Sequence, residues 1–245
     1  MHRFIHLPAF VVLAASHVCL AAEPVSSIAL YYYERPPYMV AHQDGKATGI
    51  TADVAGKALA RAGIAFTWNL MPAKRQLATI EHNTGRDCGV GWFKNPQREA
   101  FGQFSHPIYH DKPPVVIARG GFDAHTDSLA QLLKRPGLQV LVKEGLTYGS
   151  YINDLLKNSK AHVTSITVEQ PQLVRMIAAG RADIMFAPRE EADYLVTTQE
   201  SGNESAHVVG FSDVPNGEAR HLFCSRQVDA ATMAKINAAI DQIAP

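Results

Sequence analysis

The chain has 245 residues, with 23 basic side chains against 23 acidic ones and a hydrophobic content of 47%. The balanced charge excludes the electrostatic footprint of a nucleic-acid binder. Length and apolar content suffice for a sizeable core, in one large domain or two small lobes.

In chain order, the first segment reads as a secretory leader: Arg3, an apolar run from Leu7 to Leu13, then small residues to Ala21 and Ala22. A bilayer span takes roughly 20 apolar residues; this run is shorter and no later one approaches that length. Residues 1–22 are expected to be removed on export, which leaves a soluble periplasmic protein. Cys19 lacks the Leu-small-small approach of a lipid-anchored cysteine. It leaves with the leader, so Cys88 and Cys224 remain, in an oxidising compartment where a bridge can persist.

Beyond the leader, short β-branched or aromatic runs alternate with stretches of helical period, which favours an α/β protein. Strands are expected at Ile28 to Tyr33, Ala65 to Leu70 and Asp87 to Val90, with helices at Thr51 to Arg61 and Ala73 to His82. A breaker-rich stretch from His106 to Pro114 follows. The pattern restarts with strands at Val115 to Ala118, Gln139 to Val142, Val163 to Thr167 and Ile184 to Ala187. Helices are expected at Leu129 to Lys134, Tyr148 to Asn158, Pro171 to Ala179 and Glu190 to Val196. A last strand pair, Val208 to Phe211 and His221 to Cys224, precedes a helix from Ala230 to Ile243 that Asp229 caps. The segments Gly85-Arg86-Asp87 and Gly180-Arg181-Ala182-Asp183 each close a helix and open a strand, an echo that suits two similar lobes, although glycine is also the common helix C-cap residue.

In parallel α/β sheets ligands bind beyond the carboxyl ends of strands, so the loops after Tyr33, Val90, Val142 and Ala187 are the ones to read. The first holds Arg35, Pro36, Pro37 and Tyr38; the prolines stiffen it, so Arg35 and Tyr38 are presented to a ligand, unless Tyr38 covers the core instead. The second holds Trp92, then Asn95 as an N-cap and Pro96 as a first helical residue. Arg98 then falls in a first turn, where the helix dipole disfavours a cation and an anion between them would explain it; pairing with Glu99 is the alternative. The third holds Thr147, which can cap the next helix, and Tyr148. The spacing there is not that of a phosphate-cradling loop. No Gly-x-Ser-x-Gly elbow occurs, and Pro107 between His106 and His110 argues against a helical metal pair, so neither metal nor cofactor is expected.

Together, the Pro36-Pro37-Tyr38 loop, Asp44-Gly45 and Gly49, Arg98-Glu99-x-Phe101, Phe104-Ser105-x-Pro107-Ile108-Tyr109 and Gly180-Arg181-Ala182-Asp183-Ile184 resemble the polar-amino-acid type of bacterial extracellular solute-binding protein, family 3. The resemblance implies a two-lobed type II periplasmic binding fold, each lobe a mostly parallel sheet flanked by helices, joined by two crossover segments. Lobe one would comprise residues 23–112 and 212–245, lobe two residues 113–211, with hinges near His110 to Pro114 and Phe211 to Pro215. It implies that Arg98 grips a solute carboxylate, that Thr147 helps from the facing lobe, and that Cys88 and Cys224 are bonded on neighbouring strands. The family's amino-acid binders place an aspartate where this chain has Pro188, so Glu190 or Glu191 would have to replace it for an α-amino group. The expected partners are a carboxylate-bearing solute and an ABC transporter permease or membrane sensor, with the protein itself monomeric. The competing reading is an enzyme on this scaffold, a cyclohexadienyl dehydratase-like lyase in which Glu190 or Glu191 transfers a proton.

Overall fold

A computed structural model describes residues 27–146, 148–198 and 205–243. The expected leader lies outside them. The chain opens with β1 (Ile28–Tyr32), a hairpin of β2 (Val40–Ala41) and β3 (Ala47–Thr48), and helix α1 (Ile50–Arg61). Ala52, Ala55, Ala58 and Leu59 recur at helical spacing on the buried face of α1, and the small side chains let it lie close to the sheet. There follow β4 (Phe66–Leu70), α2 (Ala73–His82), β5 (Asp87–Phe93), the short α3 (Pro96–Glu99) and β6 (Gln103–His110). The chain then enters a second sheet through β7 (Val115–Arg119), α4 (Leu129–Leu132), β8 (Gln139–Lys143), α5 (Ser150–Lys157), β9 (His162–Ile166), α6 (Gln170–Ala178), β10 (Ile184–Ala187), α7 (Arg189–Thr198) and β11 (Ala206–Val209). It returns as β12 (Ala219–Cys224) and α8 (Ala230–Ile240).

The first sheet has the order β4-β1-β5-β12-β6, with β1 parallel to both neighbours and β12 antiparallel to both of its own. The second has the order β11-β7-β10-β8-β9; β8 is parallel to β9 and β10, and β7 is antiparallel to β10 and β11. Each sheet with its helices forms one lobe. Along β7, Val115 and Ile117 pack under α6 and α7 while Val116 and Ala118 pack under α4 and α5, so this central strand is apolar on both faces.

Two expectations change, at β6 and at the end of α2. Residues 103–110 form a strand, not a stretch of breakers: β6 is the sheet edge, where Pro107 costs no ladder bond. The last two strands part company, β11 joining the second sheet and β12 the first. The left-handed residue that ends α2 is Asn83 (φ 54°), not Gly85, whereas Gly180 (φ 71°) does close α6 as read. Cys224 faces Cys88 in the β5–β12 register, and the two are disulfide-bonded at 2.04 Å.

The two connections between sheets, residues 111–114 and 210–218, run side by side. The Asp111 N–H donates to the Glu218 carbonyl (3.2 Å), and the Gly217 N–H donates to the Asp111 carbonyl (3.0 Å). A side chain on Gly217 would meet the Asp111 Cβ at 2.5 Å, so only glycine permits this approach. Arg220 donates from Nε and Nη2 to the two Asp111 oxygens (2.6 and 2.7 Å), with both residues buried. Its guanidinium also lies 4.0 Å from the Tyr38 ring centre and 4.5 Å from that of Phe93. A cation this deep is tolerated because the fork and the ring faces answer its charge.

Candidate ligand-binding site

A cavity of about 390 Å³ lies between the lobes, within the roughly 300–1,000 Å³ common for small-molecule sites. Lobe one contributes Tyr33 and Arg35 after β1, Trp92 and Phe93 at the end of β5, and Arg98 from α3. Lobe two contributes Tyr148, Ser150 and Tyr151 around the start of α5, Gln170 at the start of α6, and Ala187 and Pro188 between β10 and α7. Asp111, Lys112 and Gly217 come from the connections. These are the carboxyl ends of β1, β5, β8 and β10, as strand polarity requires.

Arg98 is positioned by a short relay. Gln76 donates to the Met71 carbonyl (2.8 Å) and accepts from the Trp92 indole N–H (3.1 Å), which fixes the ring. Gly89 leaves the room: a Cβ there would stand 2.3 Å from the indole nitrogen. The Arg98 guanidinium lies 4.7 Å from the Trp92 ring centre and donates from Nη1 to the Phe93 carbonyl (2.6 Å). Burial lowers the Arg98 pKa, with Tyr33 and Glu218 acting in the other direction. Among the described residues Arg98 forms no ion pair; Glu99 is bound instead to Lys94 (3.0 Å). The helix start adds less than the sequence suggests. α3 has four residues, Pro96 has no N–H, and the Arg98 N–H is taken by the Asn95 side chain (2.9 Å), so the guanidinium itself is what faces an anion.

Arg35 also lines the cavity, but its charge is answered. It donates to Glu191 across the lobe boundary (2.9 Å) and to the Tyr33 hydroxyl (3.2 Å). Burial opposes its charge, yet the Glu191 carboxylate and Tyr33 outweigh burial and raise its pKa. Tyr38 is fully buried and off the cavity wall; it donates to Glu190 Oε2 (3.0 Å). Glu190 Oε1 accepts from the Tyr109 hydroxyl (2.6 Å) and the Lys112 N–H (3.1 Å). Burial would raise the Glu190 pKa, but these bonds hold it below the usual carboxylate range. Thus Glu190 and Glu191 face lobe one, and Tyr38 belongs to the core. Tyr148 does stand on the wall, its hydroxyl accepting from the Lys143 N–H (2.8 Å), whereas Thr147 lies outside the described residues.

Sequence reading missed Gln170, Lys112 and the Arg220–Asp111 pair. Arg220 left one signal, a cation inside the apolar strand run from Ala219 to Cys224; Gln170 left none.

Residues 29–244 match the family described as bacterial extracellular solute-binding proteins, family 3. The chain belongs to that family. No curated protein matches this solute-binding protein in sequence. Solved structures share its fold at low identity. An ancestral arginine-binding protein bound to arginine is 18% identical, with a TM-score of 0.66 over 90% of this chain and 92% of that one. The second substrate-binding domain of Lactococcus lactis GlnP, in an open conformation, is 13% identical, with a TM-score of 0.68 over 91% and 90%. An ancestral amino acid-binding protein described as a precursor of cyclohexadienyl dehydratase is 17% identical, with a TM-score of 0.65 over 89% of each chain. These likenesses give the family 3 chain its two-lobed α/β architecture.

Proposed function

We propose that this solute-binding protein is exported to the periplasm by its leader and closes, as a monomer, over a small carboxylate-bearing solute for an ABC importer or a membrane sensor. Residues 23–112 and 212–245 act as lobe one and residues 113–211 as lobe two. The observation that carries the reading is Arg98: a partly desolvated guanidinium on the cavity wall, held over Trp92 and bonded to a carbonyl, with Glu218 near enough to act on its charge but, among the described residues, no carboxylate paired with it. A planar fork in that state is suited to two oxygens of one anion. Thr147 assists from the facing lobe. Pro188 stands on the wall where the family's amino-acid binders carry an aspartate, and Glu190 and Glu191 are engaged elsewhere, so the solute is a polar anion other than an ordinary α-amino acid.

A lyase of the cyclohexadienyl dehydratase kind would need Glu190 or Glu191 at the substrate. Their bonds to Tyr38, Tyr109, Lys112 and Arg35 favour binding without catalysis. A thermal-shift screen of amino acids, hydroxy acids, dicarboxylates and prephenate identifies solutes, because native-state binding raises apparent stability. Calorimetry on the best of them then compares the parent with Arg98→Ala. Binding within about threefold of the parent, or turnover of prephenate, overturns the reading.

A further inference from the structure

Among the described residues, one buried polar side chain of the cavity wall has no hydrogen-bond partner. Gln170, the first residue of α6, is 8% exposed, and neither its Oε1 nor its Nε2 makes a hydrogen bond although both atoms are buried. Buried amides are ordinarily satisfied, and one that is not points to a group supplied from outside. Charge is also divided across the cavity. Arg35, Arg98, Asp111, Lys112, Glu218 and Arg220 stand on lobe one and the connections, whereas the described residues that lobe two adds to the wall, Gln170 and Tyr148 among them, are all uncharged.

We infer that Gln170 recognises a neutral group of the solute that presents an N–H donor beside a carbonyl acceptor, a carboxamide or similar, at the end opposite the carboxylate held by Arg98. The inference rests on the carboxylate reading above and adds the chemistry of the solute's second end. The complementarity follows from the side chain. A carboxylate offers only acceptors and would leave the Gln170 oxygen unpaired. An ammonium or guanidinium offers only donors and would leave the amide nitrogen unpaired, with no carboxylate on that wall to hold its charge. An amide satisfies both atoms at once. Sites that hydrogen-bond a substrate group discriminate strongly against analogues lacking it, because the buried partner is then left bare.

The test uses three probes of one scaffold: glutaramate, glutarate and 5-aminopentanoate, titrated calorimetrically into the mature protein, Gln170→Met and Arg98→Ala. The parent is expected to bind glutaramate at least about tenfold more tightly than the other two. That preference should vanish in Gln170→Met, whose ligand-free melting temperature should be equal to or above the parent's, since a buried unpaired amide is removed. Glutarate binding as tightly as glutaramate, a preference that survives in Gln170→Met, a melting temperature that falls, or no binding by any probe overturns the inference. The carboxylate reading fails separately, when Arg98→Ala binds a solute of the parent as well as the parent does.

Discussion

The Arg35 guanidinium of lobe one and the Glu191 carboxylate of lobe two meet at 2.9 Å across 156 positions of sequence. Beside them Glu190 gathers the Tyr38 and Tyr109 hydroxyls and the Lys112 N–H. Two adjacent glutamates at the start of α7 thus tie lobe two to lobe one through contacts of the protein's own. The double variant Glu190→Ala/Glu191→Ala should shift the ligand-free protein toward a more open arrangement, by about tenfold in population, or ~1.4 kcal/mol. Small-angle scattering should show a larger radius of gyration than the parent's. An unchanged profile would mean that these contacts do not set the lobe angle. Saturation with a tight solute should compact the parent.

Arg98 makes a sharper case than its charge alone. Arg98→Lys keeps the cation but loses the planar fork and its stacking on Trp92. It should therefore weaken binding markedly, as Arg98→Ala should, by roughly 30-fold to several thousand-fold, or about 2–5 kcal/mol. Circular dichroism should be unaltered, because the residue's structural bond is a single carbonyl. Lysine restoring parental affinity in calorimetry would reduce Arg98 to a point charge.

The Cys88–Cys224 bond ties the return strand to lobe one across a separation of 136 residues. A closed loop of that size contributes about 4–5 kcal/mol by the chain-entropy estimate. Reduction should lower the urea midpoint accordingly. Thiol labelling of the unfolded, unreduced chain lacking residues 1–22 should find no reactive thiol. Two per chain would refute the bond.

Asp213, on the returning connection, closes the start of α4. It accepts from the Ser128 hydroxyl (2.7 Å), the N–H groups of Leu129 (2.7 Å) and Ala130 (3.0 Å), and the Tyr151 hydroxyl (3.0 Å). Burial opposes ionisation, but these bonds outweigh burial and lower its carboxyl from 3.8 to about 2. A depressed folded pKa stabilises above the unfolded value and loses that contribution as pH falls through the folded one. Asp213→Ala should cost about 1–2 kcal/mol at pH 6, as for a lost cap. The gap to the parent in urea unfolding should narrow from pH 4 to pH 2. A gap constant with pH would show that the carboxylate charge plays no part.

Much of the fold was legible along the chain because its signals are short-range. Asn95 caps α3 and Asp229 caps α8 through bonds spanning three residues, and the apolar spacing of α1 lies within one helix. Such interactions need no knowledge of distant partners. β6 was harder to read, since Pro107 breaks a central strand but not an edge, and edge status depends on sheet order.

At the site the same division holds. The sequence by itself determined that Arg98 follows a capped turn after an apolar strand, and that Pro188 directly follows the strand ending at Ala187. Only the tertiary structure decided that Arg98 escapes Glu99, that Tyr38 is buried against Glu190 and Arg220, that Arg220 meets Asp111 across 109 positions, and that the Gln170 amide has no partner among the described residues. The Tyr38, Glu190, Asp111 and Arg220 contacts depend on two connections running side by side and on which strand lies next to which. Side-chain partners between such distant segments are set by packing geometry, which no local pattern of residues encodes.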